Sequence, residues 1–442
     1  MTDKISGNED RSSLSSTRQL KCPVMSATGA AAQSRLPSDF NPLSPENVAD
    51  PYPFYRAMRH HAPLYQVSGA GFFIVSRYAD ILHVLSHPEI FSSRQPPGVE
   101  TKTLDDVIEI LSDGYPPMDT LLTSDPPVHS RFRALVNKAF SARRVATLEP
   151  KIRQIANELI DRFIGDGKAE LVSQFAIGLP LTVIADALGV SHFDMDDFKR
   201  WSDDAVAPLG GMISHQRQLE CARSQIEFQR YFEARLEERK SASRDDLTTD
   251  LLNARLEGTR PLDVAEILNI IYQLLVAGNE TTTNLISSAM MLLMRNPDQM
   301  RLVIEDRSLV PNMIEEALRL ESPVQSLFRV AKTASEIAGV KIPEGARLAV
   351  MYASGNRDEA EFPAPDRFDV RRANARTHLG FGQGEHFCIG AALARLEARV
   401  AFETLLTRMP VIRFAAGKND FAHTPSFILR GLRELHLEFE AS

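Results

Sequence analysis

Cysteine is nearly absent from this chain: 442 residues hold three, Cys22, Cys221 and Cys388. They are too few and too far apart for a disulfide framework or a cysteine-rich zinc site, and such sparing use of thiols points to a reducing compartment, the cytoplasm. Positive charge is not in excess either. The 50 Lys and Arg stand against 58 Asp and Glu, a formal charge of −8, so no global field favours nucleic acid and any basic surface must be local. The N-terminus has no apolar core of signal-peptide length. Residues 1–36, rich in Ser, Ala and charge, are expected to be a disordered leader. The most apolar stretch is broken by Glu266, Asn269, Gln273 and Glu280, so no membrane span is expected. No Gly/Ser linker or internal repeat divides residues 37–442, which read as one domain.

What is present is mostly helical patterning. Apolar residues at 3.6-residue spacing run through "KIRQIANELIDRFIG", "QLECARSQIEFQRYFEARLEERK", "NMIEEALRLE" and the segment after Cys388. Strand signals are short and clustered in "PLYQVSGAGFFIVSR", "FRVAKTASEIAGVKIPEGARLAVMYA" and "HLEFEA". The expected fold is mainly α with a minor β region. Residues 262–295 can form one helix of roughly 50 Å, apolar on most faces and so bound to cross the core. Its middle nevertheless reads "AGNETTT", residues 277–283, where a glycine, an acid and several hydroxyls suit a packed interior poorly.

The other unusual stretch is "FGQGEHFCIG", residues 381–390, which sets Cys388 among glycines just before a helical run. Gly384 and Gly390 allow tight backbone and close approach of a flat object, and a helix N-terminus after Cys388 turns free N–H groups toward the sulfur. Such a thiolate can be a nucleophile, a structural metal ligand or the axial ligand of haem iron. A nucleophile wants a histidine positioned across a cleft, and zinc wants three or four ligands, whereas only His378 and His386 lie near. Taken whole, Phe381-x-x-Gly384-x-His386-x-Cys388-x-Gly390 should arise by chance in such a chain with probability below ~10⁻³.

This pattern resembles the cysteine loop of the cytochrome P450 family of haem-thiolate monooxygenases. The resemblance spans roughly residues 45–440 and makes Cys388 the axial ligand of haem b, with Phe381 shielding the thiolate. Ala277-Gly278-Asn279-Glu280-Thr281-Thr282 is similar to the family's oxygen-activation motif, in which acid and alcohol interrupt the helix; Glu280 and Thr281 are then the catalytic proton donors. Glu316-Ala317-Leu318-Arg319 matches the family's Glu-x-x-Arg helix, and "FPAPDRFDVRR" the segment supplying a second arginine, here Arg367, to a buried structural cluster. One departure is Asn356-Arg357-Asp358-Glu359, where the family often has proline last. In "SDPPVHSRFR", Asp125 can cap a helix that presents His129 and Arg133 on one face. The resemblance implies that both bind a haem propionate, with Arg329 and His386.

By the same resemblance O₂ is activated with two electrons from external partners, a ferredoxin and its NAD(P)H-dependent reductase. The substrate is a lipophilic small molecule such as a terpenoid, steroid or aromatic. Arg131, Lys138, Arg143, Arg144, Arg395 and Arg399 are candidates for a proximal face receiving an acidic carrier. Substrate contacts are expected from residues 94–122, 206–212, the Ala277 region, Val324–Phe328, Phe427 and Ile428. A monomer without nucleic-acid or membrane partners is expected. The alternatives are a non-catalytic haem-thiolate sensor, which has no need of Glu280-Thr281, and a haem-free cysteine hydrolase.

Overall fold

A capping box decides where the longest helix begins. The Asp263 carboxylate accepts the Glu266 N–H at 2.9 Å, and the Glu266 carboxylate accepts the Asp263 N–H at 3.0 Å, satisfying two donors that would otherwise be orphaned. From there the central helix runs Val264–Arg295, 32 residues or about 48 Å. The computed structural model describes residues 41, 44–67, 71–94, 105–137, 140–191, 194–209 and 213–442. The expected leader at 1–36, with Cys22, lies outside them, as does Lys138.

The central helix packs against helices Gly178–Leu188, Met195–Val206, Val310–Leu320 and Ala391–Arg408. Contrary to expectation, "AGNETTT" does not interrupt it. The polar side chains there bond to neighbours or back to their own helix. Thr283 donates to the Ala176 carbonyl at 3.0 Å, Asn279 to the Ser202 hydroxyl at 2.8 Å, and Thr281 to the Ala277 carbonyl at 2.6 Å. With those donors satisfied, the backbone ladder needs no break, although the buried Asn279 Oδ1 has no partner among the described residues.

Ten strands are found among the described residues. They are β1 (Leu64–Gln66), β2 (Phe72–Val75), β3 (Phe91–Ser92), β4 (Lys168–Glu170), β5 (Leu327–Ala331), β6 (Ser335–Ile337), β7 (Val340–Ile342), β8 (Arg347–Val350), β9 (Val411–Phe414) and β10 (His436–Glu440). A five-stranded sheet has the order β1-β2-β8-β5-β3, a three-stranded one β4-β10-β9, and β6 pairs with β7. In the larger sheet β2 runs parallel to β8 and β5 antiparallel to it, with Arg329 opposite Leu348. The fold is therefore mainly α with a minor β region assembled from distant segments. No helix among the described residues is long and apolar enough to cross a membrane.

Behind the cysteine loop lies the expected ion-pair cluster, with one correction. Arg319 holds both oxygens of Glu316, at 2.7 and 2.9 Å, and Arg372 donates to the same carboxylate at 2.9 Å. Arg367 is exposed and contributes only its backbone carbonyl, which accepts from Arg319 and Arg372. The second arginine is Arg372, five residues on. Its guanidinium also holds the Pro363 and Ala364 carbonyls, so the cluster fastens the 363–372 segment to the helix bearing Glu316. Glu359, in the place of the family's proline, pairs with Arg59 at 3.2 Å.

Candidate active site

The loop from Phe381 to Gly390 is shaped by its own backbone. The Cys388 N–H donates to the Phe381 carbonyl at 2.9 Å and the Phe387 N–H to the Gly384 carbonyl at 3.0 Å. Gly384 has φ +73° and a Cβ there would stand 2.6 Å from the Leu85 carbonyl oxygen, so no other residue fits without moving backbone. Gly382, which the sequence reading passed over, also needs positive φ, whereas Gly390 has φ −84°. Gly390 and Ala391, at the start of helix Ala391–Arg408, direct their N–H groups to the Cys388 sulfur. Burial pushes the Cys388 thiol pKa up, against the pull of those N–H groups and the Arg133 and Arg395 guanidiniums. The helix terminus alone therefore does not make a thiolate here; a cation facing the sulfur would.

Cys388 faces a cavity of about 250 Å³. Phe381, His386, Arg133 and Arg329 line it too. His129 is 3% exposed and stacks on His386 with ring centroids 4.1 Å apart. Among the described residues none of these four bases forms an ion pair, and the buried Nε2 of His386 has no partner. Burial, with Arg329 and His129 beside it, drives the His386 pKa down to about 3. Burial and Arg133 lower that of His129. The buried Arg329, the half-buried Arg133 and an orphaned ring nitrogen around one cavity call for an anion with at least two charges. Asp125 does not cap the helix Val128–Asn137 as expected; its carboxylate is taken by the Ser92 hydroxyl and the Ser93 N–H. These observations fit a flat macrocycle with a metal against Cys388 and carboxylates at its edge.

Across from the cysteine, Ala277, Gly278 and Thr281 line the cavity. Glu280 does not. One residue on a helix is a turn of about 100°, and its carboxylate instead accepts from Asn284 at 3.2 Å, near Lys199 and Asp203. Burial raises its pKa. The structure thus brings Thr281 to the cavity with Cys388, Phe381, His386, Arg133 and Arg329, and leaves Glu280 on the neighbouring face. Of the expected substrate contacts, Leu121, Leu122, Ala277, Val324 and Leu327 line the cavity. Phe328 and Phe427 pack on Phe72 instead.

A family model described as "Cytochrome P450" matches residues 204–430. Cytochrome P450 107B1 of Saccharopolyspora erythraea is 40% identical over 375 residues, 84% of this chain and 89% of that one. The chain belongs to the cytochrome P450 family. Among solved structures, P450 CYP109Q5 from Chondromyces apiculatus is 40% identical with a TM-score of 0.81, covering 92% of this chain and 99% of its own. CYP109E1 from Bacillus megaterium in complex with testosterone is 33% identical with a TM-score of 0.78, covering 90% and 99%. As a P450 the chain is a haem-thiolate monooxygenase that needs redox partners, and its cofactor is haem with a cysteine thiolate as axial ligand. Neither comparison supports a sensor.

Three features of this P450 have roles that the sequence did not suggest. Arg395 pairs with Glu315 at 2.7 Å and lies over the Phe381 ring at 4.5 Å, while His378 meets the same Glu315 at 3.0 Å. Gln273 lines the cavity, and Glu397 lines its wall beyond Cys388. Gln273 and Glu397 are polar residues that interrupt the apolar periodicity of their helices, a signal available in the sequence. The expected proximal cations are mostly engaged: Arg131 with Glu266, Arg144 with Asp245, Arg395 with Glu315, and Arg399 with Glu149. Among the described residues Arg143 is exposed and forms no ion pair.

Proposed function

We propose that this P450 hydroxylates a lipophilic, multi-ring small molecule such as a steroid, terpenoid or aromatic, with electrons from a ferredoxin and its NAD(P)H-dependent reductase. The observation that carries the reading is one cavity with Cys388, an aliphatic wall of Leu121, Leu274, Val324 and Leu327, and three bases, Arg133, Arg329 and His386, that form no ion pair among the described residues. Cys388 would hold the iron, with His129, Arg133, Arg329 and His386 on the propionates and Phe381 shielding the sulfur. Bound haem supplies the oxygen-activating chemistry. The aliphatic wall excludes water and orients the substrate by burial of its apolar surface. The Thr281 hydroxyl, fixed on the Ala277 carbonyl at 2.6 Å, holds a proton at the cavity wall. Burial raises the pKa of Glu280 on the adjacent face, which favours its protonated form. The testosterone complex of CYP109E1 supports a substrate of steroid size.

Among the described residues, Arg143 is the expected cation left for an acidic carrier. Residues 37–442 form the haem domain of a cytoplasmic monomer, with residues 1–36 as a leader. An absorption spectrum of the reduced, CO-bound protein tests the core of this reading: a thiolate-type Soret shift is expected, and its loss in Cys388→Ser while the wild type keeps it. A wild-type spectrum without that shift overturns the assignment.

A further inference from the structure

Resting on the lipophilic-substrate reading above, we propose that Gln273 selects substrates by a hydrogen bond. Its side-chain amide would donate to an oxygen acceptor on the substrate, a carbonyl, ether or hydroxyl oxygen, lying about two helical turns from Thr281. The cavity wall around Gln273 is aliphatic, with Leu121, Leu122 and Leu274 beside it, so a polar amide there stands out.

Its orientation is set by a neighbour. The Leu122 N–H donates to Gln273 Oε1 at 3.1 Å. Were the amide flipped, its NH₂ would face that N–H, donor against donor, so the oxygen must point to Leu122 and the NH₂ elsewhere. One turn earlier Asn269 shows the contrast. Its Oδ1 accepts from the Met118 N–H at 3.1 Å, and its Nδ2 donates to the Pro116 and Ala265 carbonyls at 3.2 and 2.9 Å. Both amides staple the 116–122 segment to the central helix. Asn269 uses donor and acceptor for it, whereas Gln273 uses only its acceptor, and its Nε2 has no partner among the described residues. A half-buried donor pinned in place and left free on the wall of a lipophilic cavity is a recognition group.

Position on the helix adds a ruler. Gln273 and Thr281 are eight residues apart, about 12 Å along the axis. The substrate's anchoring oxygen and the carbon presented at Thr281 are then separated by about that distance, the span of a fused ring system.

The test uses 5α-androstan-3-one and 5α-androstane, the same ring skeleton with and without the ketone, titrated into the haem-loaded enzyme and followed by the low-spin to high-spin shift. The wild type should bind the ketone about tenfold more tightly than the hydrocarbon. Gln273→Leu should bring the two affinities together. Gln273→Glu, which keeps an acceptor for the Leu122 N–H but offers no donor, should do the same and so separates loss of recognition from loosening of the 116–122 segment. Equal affinities in the wild type, or a ketone preference that survives in Gln273→Glu, overturn the role of Gln273. If neither compound shifts the spin state, the steroid-sized lipophilic reading falls, and this inference with it.

Discussion

Replacing Glu397 with glutamine should stabilise the enzyme, and by an amount that grows with pH. Glu397 lies on helix Ala391–Arg408, 3% exposed, with Oε2 lacking any partner and no ion pair among the described residues. Burial alone pushes its pKa from 4.5 up to about 8. Below pH 4.5 the carboxyl is protonated whether the chain is folded or not, and it costs nothing. Between 4.5 and about 8 the unfolded chain releases the proton while the folded one keeps it, so stability falls as pH rises, by about 1.4 kcal/mol per unit. Above that the loss is complete. At pH 7, 2.5 units above the ordinary value, the cost is about 3 kcal/mol, a large fraction of the 5–15 kcal/mol that typically holds a domain. Glutamine matches the shape and cannot ionise. In urea unfolding of the haem-loaded protein followed by far-UV circular dichroism, Glu397→Gln and wild type should differ by less than about 1 kcal/mol at pH 5 and by about 3 kcal/mol at pH 7. A difference independent of pH would mean that the carboxylate is hydrated or paired in the folded enzyme, and the reasoning would fail.

Other substitutions separate the remaining claims. Arg372→Met breaks a buried pair with Glu316 and should cost about 3–5 kcal/mol in the same unfolding assay, whereas Arg367→Met, an exposed side chain, should stay within about 0.5 kcal/mol; equal effects would reinstate Arg367. Gly384→Ala puts a Cβ against the Leu85 carbonyl at positive φ and should cost about 2 kcal/mol or more, read as a lowered melting temperature of the haem-loaded protein. Thr281→Ala should lower product formed per NAD(P)H consumed about tenfold or more, with the CO-bound spectrum retained. Unchanged coupling would remove Thr281 from the proton path.

The parts of this molecule legible in its sequence are those that repeat or that use rare residues. The central helix was expected over 262–295 and runs Val264–Arg295, because a long apolar period and an Asp-x-x-Glu cap leave little freedom. Strands β3, β4 and β9, two to four residues long, were missed because each stands apart from the clusters in which equally short strands such as β1, β6 and β7 were expected. The cysteine loop was legible because glycines and a lone cysteine are costly to place without cause. Its support was misread at Arg367: the three arginines in "FPAPDRFDVRR" are equally good guanidiniums, and only the turn at Asp369, whose carbonyl accepts the Arg372 N–H at 3.0 Å, decides which one reaches Glu316. The same limit separates Glu280 from Thr281. Adjacent in sequence, they were read as one unit, yet helix geometry points them about 100° apart, so that one faces the cavity and the other Asn284. A motif names the chemistry it brings together, while side-chain direction names which member can touch the reacting atoms. In this P450 the hydroxyl lines the cavity and the acid does not, which under the proposed proton path makes Thr281 the residue whose loss should sever coupling.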